Sequence, residues 1–171
     1  MMRLKHNNRG FTLVELIVSA AILSIVALAA SAFMVAGART YSSVNYTVRL
    51  QYEAQLAMAQ LQEYTVDCTT GIAWDGTTLY IVNGSTVHLF KFDSAAQTLS
   101  YGTDTAADTM TPTYALAAEH ITAMDVDLAD GKAEITLQMQ RNNKSYSATQ
   151  LIALRNQPEF ASSWADLRTK I

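Results

Sequence analysis

One carboxylate stands where a carboxylate is expensive. Glu15 lies near the start of the run Phe11 to Ala36, where only Thr12, Ser19, Ser24 and Ser31 otherwise break the hydrophobic sequence. As a helix this run extends about 39 Å at 1.5 Å per residue. That exceeds the roughly 30 Å hydrocarbon core of a bilayer, and helices buried in soluble cores are usually shorter. A charged side chain deep in a bilayer costs about 2.5–3.5 kcal/mol on insertion scales. Glu15 therefore needs a partner, or it sits at the boundary and reaches for water. Ahead of it Arg3, Lys5 and Arg9 come with no acid, and the basic segment ends at Gly10.

Other groups offer less chemistry. Asp125, Asp127, Asp130 and Gly131 invite a calcium reading, but a calcium loop of the helix–loop–helix kind wants acids at positions one, three and five and glycine at six. Ala129 occupies the fifth place and Asp130 the sixth. Alternation equally makes Asp125 and Asp127 the solvated side of a strand and Asp130-Gly131 its turn. His88 and His120 are the only histidines after the basic segment, and neither has a cysteine or acid at metal-ligand spacing. Cys68 is the single cysteine. Without a histidine partner it reads as a buried thiol at a helix end, although a free thiol in an exported protein can also pair between chains. No Gly-x-Ser-x-Gly, phosphate-binding loop or dinucleotide fingerprint occurs. No cofactor, metal site or catalytic constellation is expected, so the chain does not read as an enzyme.

These groups hang on two kinds of element. The apolar run predicts a helix, and after Arg39 the pattern turns amphipathic. Leu50, Ala54, Ala57, Leu61 and Tyr64 step by four, three, four and three, a helical stripe. The simplest reading is one helix from about Phe11 to about Val66; the alternative is a separate helix after a linker at Gly37. From Ile72 the period becomes two. Strands are expected over 72–74, 77–82 and 85–92, separated by Asp75-Gly76 and Asn83-Gly84, dipeptides that favour type I′ hairpin turns. A second group alternates through Met124, Val126 and Leu128, turns at Asp130-Gly131, continues through Ala133, Ile135, Leu137 and Met139, turns again at residues 141–144, and runs through Tyr146, Ala148, Ile152 and Leu154. One apolar and one polar face suit a sheet covered on one side by the helix stripe. Composition makes Gly102 to Pro112 a loop. Trp164 and Leu167 leave the end of the chain either a short helix or a mobile tail. The fold class is thus α+β, a long N-terminal helix packed on an antiparallel β-sheet domain. The expected divisions are a leader at 1–10, a membrane or filament-core helix at 11–38, its amphipathic continuation at 39–67, the β domain at 68–156 and a tail at 157–171.

Charge sets the orientation. Basic residues lie before the apolar run, so the N-terminus is expected in the cytoplasm and everything after Arg39 outside. An ordinary secretory signal would have an apolar core of about 7–15 residues. Ala30-Ser31-Ala32 offers a cleavage site for one, but this run is too long and carries an acid.

The sequence Gly10-Phe11-Thr12-Leu13-Val14-Glu15-Leu16-Ile17 resembles the processing site of type IV prepilins and pseudopilins, which carry a class III signal peptide. A short basic leader ending in glycine, then an aromatic residue, then an apolar helix with glutamate at its fifth position all stand in register. The resemblance implies that a prepilin peptidase cuts between Gly10 and Phe11, that Phe11 becomes an N-methylated terminus, and that Glu15 pairs with the Phe11 amine of a neighbouring subunit. Unlike many main filament subunits, the stretch Ser24 to Ala32 has neither Gly nor Pro, so a straighter helix and a minor subunit or pseudopilin are expected. Phe90-Lys91-Phe92-Asp93, Thr98-Leu99-Ser100-Tyr101 and the closing Leu154-Arg155-Asn156 resemble minor pilins of the PilW type and J-type pseudopilins.

That resemblance implies a structural subunit of a pilus, competence pseudopilus or type II secretion-like filament. Its implied partners are other pilin or pseudopilin subunits, prepilin peptidase, the cytoplasmic membrane before assembly, and indirectly an assembly platform protein and ATPase. The expected place is the cytoplasmic membrane in a single pass, then an extracellular or periplasmic filament. The alternative is a membrane-anchored extracytoplasmic binding module that never polymerises.

Composition fits these divisions. The 171 residues are 50% hydrophobic and 16% charged, which excludes intrinsic disorder. The net charge of −3 argues against nucleic-acid binding. Loss of Arg3, Lys5 and Arg9 with the leader turns 12 basic residues into 9 against 15 acids, so −3 becomes −6.

Overall fold

The computed structural model describes residues 11–107 and 109–171. A single helix, α1, runs Leu13–Val66. Its one glycine, Gly37, does not interrupt it: nothing lies within 4 Å of where a Cβ would stand, and one glycine in a helix costs only about 1 kcal/mol. The chain clusters into two compact units, one ending at Ser43 and the other spanning Val44–Ile171.

In the first unit the helix is apolar and uncovered. Leu13, Leu23, Leu28 and Phe33 are 76%, 70%, 71% and 80% exposed, so no protein packing stabilises this stretch. Length and composition make α1 able to cross a membrane. The polar exceptions are satisfied internally. Ser19, Ser24 and Ser31 donate their hydroxyls to the carbonyls of Glu15, Ala20 and Ala27 at 2.7, 2.8 and 2.8 Å. A serine bonded back four residues leaves no free donor for lipid to solvate.

In the second unit the expected stripe is buried. Leu50, Ala54, Ala57, Met58, Leu61 and Thr65 face inward and Tyr64 packs beside them. Among the described residues nine strands follow: β1 Gly71–Trp74, β2 Thr78–Asn83, β3 Thr86–Asp93, β4 Thr98–Thr105, β5 Ala115–Glu119, β6 Ile121–Ala129, β7 Lys132–Arg141, β8 Lys144–Ala153 and β9 Glu159–Ala161, with a closing helix α2 Trp164–Lys170. They form two sheets, ordered β5-β4-β3-β2-β1-β9 and β6-β7-β8. The helix stripe, Ile72, Leu79, Ile81, Phe90 and Leu99 of the first sheet, and Ile121, Ile135, Leu137 and Met139 of the second share one core. Burying each large side chain contributes about 1.5–3 kcal/mol.

The two expected β groups form the two sheets, and β1 in addition pairs with β9 in parallel, Ile72 opposite Phe160. His120, in the left-handed region at φ 64, is the lone residue between β5 and β6, and there the chain changes sheets. Gly102 is strand, not loop: it pairs with Leu89 inside β4, and a Cβ there would stand 3.1 Å from the Tyr114 ring and 3.2 Å from Pro112 Cβ. Polar composition hid a strand whose neighbours need a bare backbone. The turns also slide. Asn83 remains in the ladder opposite Thr86, leaving a Gly84-Ser85 loop in which only Gly84 has positive φ, a glycine-first turn. At Asp130-Gly131 both residues have positive φ, as they do at Asn142-Asn143. Of the two alternatives for the tail, the structure shows the short helix, α2. Leu167 is fully buried with Ala73, Val82, Val87 and Leu89 on the outer face of the first sheet.

Candidate functional site at the start of the long helix

Thr12 and Glu15 build the beginning of α1 together. Thr12 precedes the first helical residue, and its Oγ1 accepts the Glu15 backbone N–H at 3.2 Å. Glu15 Oε2 accepts in return from the Thr12 backbone N–H at 3.3 Å and from the Thr12 hydroxyl at 3.2 Å. This is a capping box, in which side chains at the cap and three residues on satisfy each other's orphan backbone donors. The carboxylate also sits at the positive end of the helix dipole. Its place in an apolar run is therefore locally compensated.

Sequence reasoning singled out Phe11 and Glu15 and passed over Thr12. The Thr-x-x-Glu spacing before an apolar run was the available signal. Phe11, Thr12 and Glu15 are all exposed, and Phe11 is 78% so. Both returning bonds to the carboxylate converge on Oε2. Neither of these two bonds uses Oε1. Gly10 lies outside the described residues.

Residues 5–31 match the family model of the prokaryotic N-terminal methylation motif. The chain carries a type IV prepilin signal. A signal of this class marks a pilin-like protein that prepilin peptidase processes, and it brings other pilins into play as partners. With the exposed apolar helix behind it, the prepilin signal anchors the protein at a membrane. The match covers the leader and the first part of α1 only. No curated protein and no solved structure matched the chain.

The remaining candidates belong to the second unit. Asp125 and Asp127 lie on the exposed side of β6, alternating with Met124 and Val126, and Asp130-Gly131 is the turn into β7. Among the described residues no three His, Cys, Asp or Glu side chains gather as metal ligands. His88 stacks on Tyr64 with ring centroids 4.4 Å apart, and its Nδ1 is hydrogen-bonded to the Tyr101 hydroxyl at 2.9 Å. Burial lowers the His88 pKa below its ordinary value and raises that of Tyr101. The trio clamps α1 to β3 and β4. His120 Nδ1 stands 3.7 Å from Glu53 Oε2, and Arg141 Nη1 stands 3.9 Å from Glu53 Oε1, both beyond hydrogen-bond range. Cys68 is fully buried, donates toward the Gly71 carbonyl at 3.2 Å, and is pushed up to about 11 by burial. That is an inert thiol rather than a nucleophile.

Proposed function

We propose that this protein is a minor pilin or pseudopilin. Prepilin peptidase cuts between Gly10 and Phe11 and methylates Phe11, and Glu15 accepts the new amine of a neighbouring subunit. The observation that carries the reading is the match of residues 5–31 to the N-terminal methylation motif, joined to a helix that buries nothing of its first half. Cleavage creates a cationic amine where a carboxylate already waits in low dielectric. There an opposite charge is strongly favoured, and an unpaired one is costly. The capping box adds to this, because it fixes the Glu15 carboxylate before assembly.

The chain enters the membrane once with its leader in the cytoplasm. It is drawn from there into a filament by a platform protein and an ATPase, and the second unit stands outside. The uninterrupted helix between Ser24 and Ala32 favours a minor place over the main filament subunit.

Mass spectrometry of the protein purified from its own cells tests this. The expected N-terminus is methyl-Phe11. An intact leader on a membrane-bound chain would overturn the proposal and leave the non-polymerising anchored module.

A further inference from the structure

The two sheets end in four edge strands, β5 and β9 of the first and β6 and β8 of the second. An open edge is a row of unpaired N–H and C=O groups that can template another strand, and proteins blunt such edges. β9 is only 3 residues long, and Lys170 Nζ donates to its Phe160 carbonyl at 2.8 Å. β5 has 5 residues, and its register against β4 shifts between Leu99 and Ser100. β6 carries a shift between Ile121 and Ala123 and exposes Asp125 and Asp127. β8 has none of these devices. It runs 10 residues in unbroken register with β7, without Gly or Pro, and its one charge is Lys144 at the start. Arg141 and Lys144 face each other across the Asn142-Asn143 turn, and the hydrogen bond of such a turn joins those flanking residues. Bonded and unbonded residues then alternate along the strand. Ser145, Ser147, Thr149, Leu151 and Ala153 therefore turn their backbone groups away from β7. Among the described residues no backbone group bonds to this outer row.

We infer that the free edge of β8 receives an extended, uncharged segment of a different pilin-type subunit, which adds a strand to the second sheet. The inference rests on the filament reading above. In strand addition main-chain bonds give the affinity and alternate side chains the specificity. The inner face of β8 is unfinished in the way a missing strand leaves it. Leu137 and Ile135 of β7 are fully buried, whereas Ala148 and Gln150, opposite them on β8, are only half-buried. The outer row sets the partner's chemistry. Ser145, Ser147 and Thr149 are small, neutral and exposed, and Leu151 is 62% exposed. The Thr149 and Thr136 hydroxyls bond at 2.9 Å, so Ser or Thr in the added strand continues that row. A second copy does not fit. Arg141 lies over the Tyr46 ring, Gln150 bonds Gln62, and the Arg155 amide donates to the Val66 carbonyl. α1 and β8 thus run side by side in one direction. Antiparallel pairing of two β8 edges, as in a two-fold dimer, would reverse one α1, whereas both chains of the proposed filament enter the membrane leader first.

Hydrogen exchange of the full chain tests this, followed by mass spectrometry over residues 144–153 in detergent and in filaments sheared from cells that assemble it. The N-terminus is read in the same samples. Amides bonded to β7 are slow in both states; those of the outer row should be fast in detergent and several-fold slower in filaments. Benzoylphenylalanine in place of Ser147 or Thr149 identifies the partner, with Glu134 on the middle strand as control. The expected adducts join an uncharged segment of a different chain bearing a prepilin signal, several-fold above the control. Unchanged exchange, or adducts to lipid, to a helix or to β8 of a second copy, would overturn the inference. If Phe11 is methylated and the chain assembles with unchanged exchange, the β8 edge alone fails. If the leader is intact, the filament reading fails and takes the added strand with it. Ser147→Pro removes an outward N–H and no bond to β7, and Leu151→Lys puts a charge in the outer row. Each should leave processing and melting unchanged while incorporation falls several-fold; full incorporation of both variants would count against strand addition.

Discussion

Thr12 and Glu15 hold each other across the first turn of α1, hydroxyl to backbone amide in one direction at 3.2 Å and carboxylate to backbone amide in the other at 3.3 Å. In the proposed filament Glu15 would therefore have two separable roles: a neutral one, as the hydrogen-bond acceptor seen at the helix start, and a charged one, toward a neighbour's amine.

Substitutions can split these roles. Glu15→Gln keeps an acceptor for the Thr12 amide but removes the charge. Membrane insertion and leader cleavage should persist, and filament incorporation should fall to background. Thr12→Ala removes the cap and keeps the charge. It should destabilise the helix start by about 1 kcal/mol and leave incorporation largely intact. The readouts are immunoblots of membrane and sheared-filament fractions; equal loss in both variants would assign Glu15 to capping alone.

Acid should loosen the second unit through His88. Burial holds its pKa below the ordinary 6.5, so the fold prefers the neutral ring and the unfolded chain takes the proton first. The stability is complete above about 6.5 and is lost as pH falls through that value toward the lower folded one. Protonation also makes Nδ1 a donor, which forces the Tyr101 hydroxyl to accept. Melting of the full chain in detergent should drop between pH 7 and 5, and His88→Phe should flatten that part of the profile. A wild-type profile flat over this range would refute the assignment.

The closing helix should prove essential to stability. Leu167 is fully buried, so Leu167→Ala should cost about 2–5 kcal/mol. Gly71→Ala strikes the same contact from the opposite side, since its Cβ would fall 2.5 Å from Leu167 Cδ1. Repacking there should cost about 1–3 kcal/mol. Denaturant unfolding of the full chain measures both; a wild-type midpoint for Leu167→Ala would mean the helix is dispensable.

Cys68 should resist alkylation. Its thiol is buried and held near 11, so iodoacetamide at pH 8 should label it slowly in the native protein and rapidly in urea. Fast native labelling, or a disulfide-linked dimer in purified filaments, would show a thiol open to exchange.

The carboxylate of Asp75 should hold the β1–β2 connection. Its Oδ1 accepts from the Thr77 and Thr78 amides at 2.8 and 2.7 Å and from the Thr77 hydroxyl at 2.8 Å. Burial pushes its pKa up, but these bonds and one from Tyr80 outweigh that and hold the carboxyl below its usual range. Asp75→Ala should cost about 1 kcal/mol, seen as a lower melting temperature at pH 7; no change would make the turn self-sufficient.

By itself the sequence determined the prepilin signal, the long helix and the meanders, because each is written in near-neighbour patterns. A leader, a glycine and an acid stand in fixed register; the stripe from Leu50 to Tyr64 has a period near 3.6; the strands around Ile81 and Ile135 alternate. The capping partner of Glu15 was equally legible at Thr12 and was passed over. Only the tertiary structure decided where distant segments meet. Nothing near Glu159 announces that it will lie beside Gly71 in parallel, or that Leu167 will close the outer face of the first sheet. Long-range pairing depends on which surfaces remain open once the local elements have formed. For the same reason Val48, Tyr52 and Leu56 read as ordinary members of an amphipathic helix until the inward face was filled by Leu50, Ala54 and Leu61, leaving the other face uncovered.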